Sequence, residues 1–233
     1  MRPFIELRPS SDPASKTTKT EMCAAALFLR DGIANVRMTD IAEASGVGVA
    51  TLYRRYQTKT RLAIAAGTRM WKRFNELIRA VVEDDSFLAL TGAERLMRLF
   101  ENYVDSYLEH PDFMRFLDEF DHLVVTEAVP QAELAAYGQS IDMFYLIFED
   151  AYQMGRADGS VANGVDFPVF YRTVAHAVMG IAQKVSRGEI IPSDDFTQGR
   201  LELECLMHMA RHTLGITDAA DSRGIADATG ITE

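Results

Sequence analysis

Residues 38–62 read MTDIAEASGVGVATLYRRYQTKTRL. Ile41 and Ala42 lie one turn before Ser45, Gly46 lets the chain turn without a Cβ penalty, and Leu52 and Tyr56 share a helix face four residues apart. With Val47 they predict a small core between two short helices joined at a glycine turn, which is the arrangement of a helix-turn-helix. Val49, Ala50, Thr51, Tyr53, Arg54 and Arg55 are left facing outward, with Lys59 just beyond. Small residues come first, so the second helix can bring its positive N-terminal end close to bases and phosphate. Tyr53, Arg55 and Lys59 then suit phosphate contacts, which fix register without reading sequence. A helix, a glycine and another helix also occur in ordinary helical proteins with a solvated basic face. The added spacing of Tyr53, Tyr56 and Lys59 favours the DNA-binding reading.

From about Thr17 to Met70 the sequence resembles the DNA-binding domain of the TetR family of transcriptional regulators. The resemblance is carried by Ala26, Phe28 and Gly32, then Ile41-Ala42, Gly46-Val47, Thr51-Leu52-Tyr53, Tyr56 and Lys59, and it covers about a quarter of the chain. It implies an all-α fold: an N-terminal three-helix helix-turn-helix DNA-binding domain plus a C-terminal helical ligand-binding and dimerisation domain. It also implies that Thr39, Val49, Ala50 and Thr51 face bases while Tyr53, Arg55 and Lys59 hold phosphates.

Four positions depart from the family pattern. Gly48 stands where Ser is common, Ala50 where Gly is, Tyr56 where Phe is, and Arg37 where a capping Ser or Thr is. Gly48 gives up a side-chain cap at small cost. With Arg37 in the capping position, the first helix of the motif is expected to begin later, with Thr39 as its cap. Arg37 joins the candidate DNA contacts instead. Val49 and Ala50 carry no side-chain hydrogen-bonding group, so direct readout leans on thymine methyls, Thr51, Arg54 and Thr39, with DNA shape supplying the rest.

The charge distribution agrees with a DNA-facing amino terminus. The chain of 233 residues has a net charge of −10. Residues 1–78 nevertheless hold 13 Lys and Arg against 7 Asp and Glu, whereas residues 79–233 hold 11 against 27. A basic end and an acidic remainder are expected where one end meets phosphate, although acidic surfaces also serve solubility. A hydrophobic content of 48% is that of a packed globular protein. With no apolar run near membrane-spanning length and no apolar leader, no membrane partner and a cytoplasmic location are expected. Cys23 and Cys205 lie far apart in helical apolar patterns and read as small buried residues rather than a disulfide.

Four segments are expected along the chain: a disordered arm at 1–15, the DNA-binding domain at 16–60, a helical effector-binding and dimerisation domain at 61–215, and a flexible tail at 216–233. Arg2 and Arg8 in the arm read as a solvated tail more than as DNA contacts. A first helix from about Lys16 to Asp31 carries Met22, Ala25, Ala26, Leu29 and Ile33 at helical spacing. A fourth, from about Thr60 to Val82, carries Leu62, Ala66, Met70, Phe74, Leu77 and Val81, with Trp71, Phe74 and Leu77 expected to join the two domains. Further helices are predicted at about 91–109, 111–124, 130–155, 167–187 and 195–214, with a loop over 155–164. The prolines at 111, 130, 168 and 192 fall at helix starts or in loops. About nine helices result.

The second half carries no motif of its own. Its candidate effector residues are Phe113, Leu117, Phe120, His122, Tyr145, Phe148, Glu149, Tyr152, Tyr171, Arg172, His176 and Met179, an aromatic-rich set able to line an apolar cavity or simply to fill core. His176, inside the apolar run 174–181, reads as a core histidine or a pocket donor. The resemblance implies a homodimer through the last two helices. Val174, Ala177, Val178, Ile181 and Val185 of one helix, with Leu201, Leu203, Leu206, Met207 and Met209 of the next, offer the apolar surface. Such a dimer binds a double-stranded operator with its heads about 34–36 Å apart.

Other function classes find less support. No phosphate-cradling glycine loop, cofactor motif or metal pattern is present. His208 and His212 stand at helical spacing, but no Glu follows His208 as in a zinc protease. No catalytic residue, cofactor or metal is therefore expected. The unidentified partner is a small-molecule effector. A module of the same fold with lost operator recognition, binding a ligand or a protein, is the alternative.

Overall fold

The computed structural model describes residues 14–188 and 198–217, and among these every regular element is helical. Ten α-helices follow one another: α1 (Ala14–Asp31), α2 (Met38–Ser45), α3 (Val49–Tyr56), α4 (Lys59–Val82), α5 (Asp85–Leu88), α6 (Gly92–Glu109), α7 (Pro111–Thr126), α8 (Ala135–Asp158), α9 (Phe167–Arg187) and α10 (Gly199–Thr213). A 3-10 turn at Gln131–Leu134 precedes α8. Most of the expected arm and tail, with Arg2 and Arg8, lies outside the described residues, as do Pro192 and residues 195–197 of the last expected helix.

Several boundaries differ from the sequence reading. The first helix begins at Ala14, inside the expected arm. The helix expected from 130 starts at Ala135 and runs through Gly155 to Asp158, so the loop follows at 159–166. The short α5 has no sequence signal strong enough to stand apart from α4.

Caps explain most of the helix starts. Thr91 and Glu94 form a reciprocal capping box on α6: the Thr91 amide donates to Glu94 Oε2 at 2.8 Å and the Glu94 amide to Thr91 Oγ1 at 3.3 Å. Asp166 accepts from the Val169 amide at the head of α9, and Thr58 from the Arg61 amide at the head of α4. Pro111 opens α7, where a missing amide costs nothing. At the end of α2, Gly46 takes the left-handed conformation (φ 70°) that turns the chain into α3.

The amino-terminal domain, α1 to α3 with the start of α4, is built on the expected residues. Ile41, Ala42, Leu52 and Tyr56 are buried together with Phe28 and Leu29 of α1 and Ile33 of the turn that follows it. Each large apolar side chain buried in this way contributes about 1.5–3 kcal/mol. Val47 lies half-buried at the edge of that core.

Trp71 and Phe74, expected with Leu77 to join the two domains, make ring contacts with α6, α7 and α8. They sit inside the carboxy-terminal body, where Trp71 meets Phe113, Tyr137 and Phe144 edge-on at ring centroid distances of 5.4–6.4 Å. Phe28 of α1 reaches Phe116 of α7 at 6.4 Å. The body is held most closely where α6 crosses α8, with Gly92 against Gly155. None of the described helices is long and apolar enough to cross a membrane.

Candidate nucleic-acid interface

Helix α3 stands on Leu52 and Tyr56, which are buried, and turns its other face outward. Val49, Ala50, Tyr53, Arg54 and Arg55 are exposed, and Thr51 is half-buried. Tyr53 is a large aromatic yet 50% exposed. Gly48 caps the helix without a side chain. The Thr51 and Leu52 amides bond back to the Gly48 carbonyl, which leaves the amides of Val49 and Ala50 at the helix start to meet an anion.

The flanking cations are already engaged. Arg55 Nη1 donates to Thr17 Oγ1 at 2.6 Å, which fixes the end of α3 against α1. Arg37 pairs with Asp40 at 2.8 Å, and its guanidinium holds the Asp40 carboxyl below its ordinary value. Asp40 also accepts the Arg37 amide at 2.9 Å. This carboxylate, at the third position of the helix, satisfies the amide of the N-cap residue Arg37, while no side chain caps the amides of the first turn. Helix α2 therefore begins at Met38, and Thr39 is not its cap, contrary to expectation. Thr39 stays exposed on the first turn.

Lys59 is placed differently from a free phosphate ligand. Its ammonium donates to the carbonyls of Ile33 and Ala34, at 2.7 and 3.1 Å, which ties the start of α4 to the turn after α1. Tyr56, at the position where Phe is usual, donates to Glu21 at 3.4 Å; burial, and then the Glu21 charge, push its hydroxyl up to about 12.

Sequence reading missed the residues that tie this head to the body. Three carboxylates of the segment 119–133 reach across: Glu119 accepts the Ile33 amide at 2.5 Å, Glu127 accepts the Thr60 hydroxyl, and Glu133 grips Arg61 at 2.8 Å. Beside the last pair a surface cleft of about 480 Å³ is lined by Glu21, Arg61, Ile64, Arg69, Lys72 and Glu133, among others.

The candidate effector residues separate into three groups. Phe113, Leu117, Phe120, Phe148, Tyr152 and Tyr171 are buried, and the aromatic ones pack ring against ring, as in the stack of Tyr152 on Phe167 at 4.4 Å. Tyr145, Glu149 and Met179 are half-buried, and the Tyr145 hydroxyl donates to Glu149 at 2.7 Å. His122, Arg172 and His176 are exposed. His176 is thus not a core histidine: the buried stripe of α9 runs through Val174, Ala175, Val178 and Ala182, and His176 falls between its turns.

The same stripe revises the expected dimer surface. Val174, Val178, Leu203 and Met207 are buried within the subunit, while Leu201 and Met209 stay open at 58% and 55% exposure. Cys205 is exposed, not buried as expected, whereas Cys23 is enclosed against the Ala44 carbonyl. His208 and His212 are exposed, and no cluster of three or more metal-binding side chains occurs among the described residues.

Residues 23–66 match the family model of the bacterial regulatory proteins of the tetR family. Over those residues the amino-terminal domain is similar to that family. No curated protein matches the chain. Solved structures share the fold over nearly their whole length. A TetR transcription regulator from Haloarcula marismortui is 19% identical with a TM-score of 0.64, covering 87% of this chain and 97% of that one. A protein from Saccharomonospora viridis, described as a transcriptional regulator and solved with choline, is 21% identical with a TM-score of 0.62, covering 84% and 97%. A fatty acid degradation regulator from Bacillus halodurans is 14% identical with a TM-score of 0.60, covering 87% and 96%. The TetR-like fold therefore extends through both domains, with an N-terminal helix-turn-helix and a C-terminal helical body.

Proposed function

We propose that the protein is a homodimeric, sequence-specific transcriptional regulator of the TetR type, a repressor released from its operator by a small molecule. The observation that carries this reading is the outward face of α3, where Val49, Ala50, Tyr53 and Arg54 are exposed beside an N-terminus without a side-chain cap. Val49, Ala50, Thr51, Arg54 and Thr39 are assigned to base edges, and Tyr53, Arg55, Lys59 and Arg37 to phosphates. Arg55, Lys59 and Arg37 hold protein partners in the DNA-free state, so each shares or exchanges a hydrogen bond on binding.

An aromatic-rich body supports the effector. Asn75 donates to the Ser140 carbonyl at 2.7 Å, yet its buried Oδ1 has no hydrogen-bond partner. A buried orphan of this kind is costly unless another state satisfies it. The choline bound by the Saccharomonospora viridis neighbour makes a small organic molecule the first class to test. Leu201 and Met209 on α10, with Val169 on α9, supply the apolar contact for a second copy, with the partly buried Ala177, Ile181, Val185 and Leu206 behind them.

A mobility-shift titration on DNA from the gene's own upstream region, with excess unrelated competitor, tests the reading. A discrete, competitor-resistant complex that weakens as salt rises supports it. If neither that fragment nor DNA selected from a random pool gives such a complex, the operator-binding role is wrong and a ligand- or protein-binding module of the same fold takes its place.

A further inference from the structure

We infer that Glu119, on the body helix α7, positions the DNA-facing Lys59 through a single residue, Ile33. The Ile33 amide donates to Glu119 Oε2 at 2.5 Å, and the Ile33 carbonyl accepts from Lys59 Nζ at 2.7 Å. The two side chains come from different domains and grip opposite ends of the same residue. Gly32, whose φ of 82° favours glycine, leaves room for this approach, since a Cβ there would lie 2.8 Å from Glu119 Oε1.

Ile33 itself is held firmly between them. The Ile33 side chain is buried, and the Gly32 amide closes α1 on the Phe28 carbonyl at 2.9 Å. An ammonium has three protons. Two of those on Lys59 are spent on Ile33 and Ala34, which leaves one for a phosphate and holds the flexible stem in place before DNA arrives. The next two residues of α4 are also held from the body, Thr60 by Glu127 and Arg61 by Glu133. A shift of α7 relative to the head therefore acts on the seat of Lys59 directly. Glu119 is a positioning residue: it touches no DNA and acts on a side chain that does.

The inference rests on the reading of Lys59 as a phosphate contact, and the experiment separates the two. DNA selected by the wild-type protein is titrated with E119A, E119Q, K59M and the E119A/K59M double variant over a range of salt concentrations. K59M is expected to lower the slope of log affinity against log salt by about one unit per head. E119A is expected to weaken binding about three- to tenfold, with part of the same loss of slope and little effect in the K59M background. E119Q, which keeps an acceptor oxygen in place, retains most of the affinity. Should E119A not fold, E119M removes the acceptor at similar length and answers the same question. Wild-type affinity for E119A or E119M, or losses that simply add to that of K59M, would overturn the coupling. If K59M binds as wild type while Tyr53→Ala does not, the DNA reading stands and this inference falls.

Discussion

A Cβ on Gly92 would lie 1.9 Å from the amide nitrogen of Gly155. The start of α6 and the end of α8 thus touch backbone to backbone, and the obstacle is main chain rather than a side chain able to rotate away. The Gly92 amide also donates to Asp158 at 2.8 Å, which locks the crossing. Gly92→Ala must push the helices apart. The expected cost is at the upper end of overpacking, about 3 kcal/mol. Urea denaturation checks this, and an unchanged midpoint would contradict the packing described.

Tyr53 packs against nothing that folding needs, so Tyr53→Ala should leave the thermal midpoint within about 2 °C of wild type. Loss of a contact worth about 1 kcal/mol in each head should nevertheless weaken DNA binding about fivefold per head. Anisotropy titration beside a melting curve separates the two effects. A variant that loses both stability and binding would return Tyr53 to the core.

The body's tyrosines set an alkaline limit on stability. Burial pushes Tyr103 up to about 12 from an ordinary 10, and raises Tyr107, Tyr137 and Tyr171 as well. A raised pKa in the fold means that the neutral hydroxyl is favoured there. The stabilisation is whole below the unfolded value of about 10 and disappears as pH climbs through the folded values. Stability should stay flat with respect to these groups from neutrality to about pH 9 and then fall, with tyrosinate absorbance rising together with unfolding. Tyrosinate forming well before the fold is lost would show the hydroxyls to be accessible.

Trp71 is the chain's one tryptophan and lies in the aromatic core, 2% exposed. An effector that enters that core must disturb its edge-on contacts with Phe113 and Phe144. Titration with choline should then change the tryptophan emission, raise the thermal midpoint and weaken the DNA complex together, since effector and operator are reciprocally coupled. Emission unchanged at saturating choline, with no shift in midpoint, would remove choline from consideration.

What the sequence made legible was local. Ile41, Leu52, Tyr56 and Gly46 are spaced within two short helices, and that spacing is enough to build the head. The period of α9 carries a further signal. Arg172, His176, Gly180 and Lys184 recur every four residues, and this period marks His176 as outward-facing despite its apolar neighbours. The contact of Asp40 with the Arg37 amide at the start of α2 is legible in the sequence as an acid in the first turn. Three features depended on distant partners that no local pattern reveals: the carbonyls that occupy Lys59, the three carboxylates that bind the head, and the meeting of Gly92 with Gly155. The aromatics of the body could be read as cavity or core from composition alone, and their ring contacts place most of them in core in this conformation.

The most direct test of the central claim is selection from a random DNA pool with the wild-type protein and with a Tyr53→Ala/Arg54→Ala variant, scored by enrichment over unrelated competitor. The account predicts that the wild type enriches a two-fold symmetric site, with half-sites about one helical turn apart and thymines under α3, while the folded variant enriches none. A wild-type protein that enriches no motif, or a variant that enriches the same one, would contradict the assignment of α3 as the element that reads DNA.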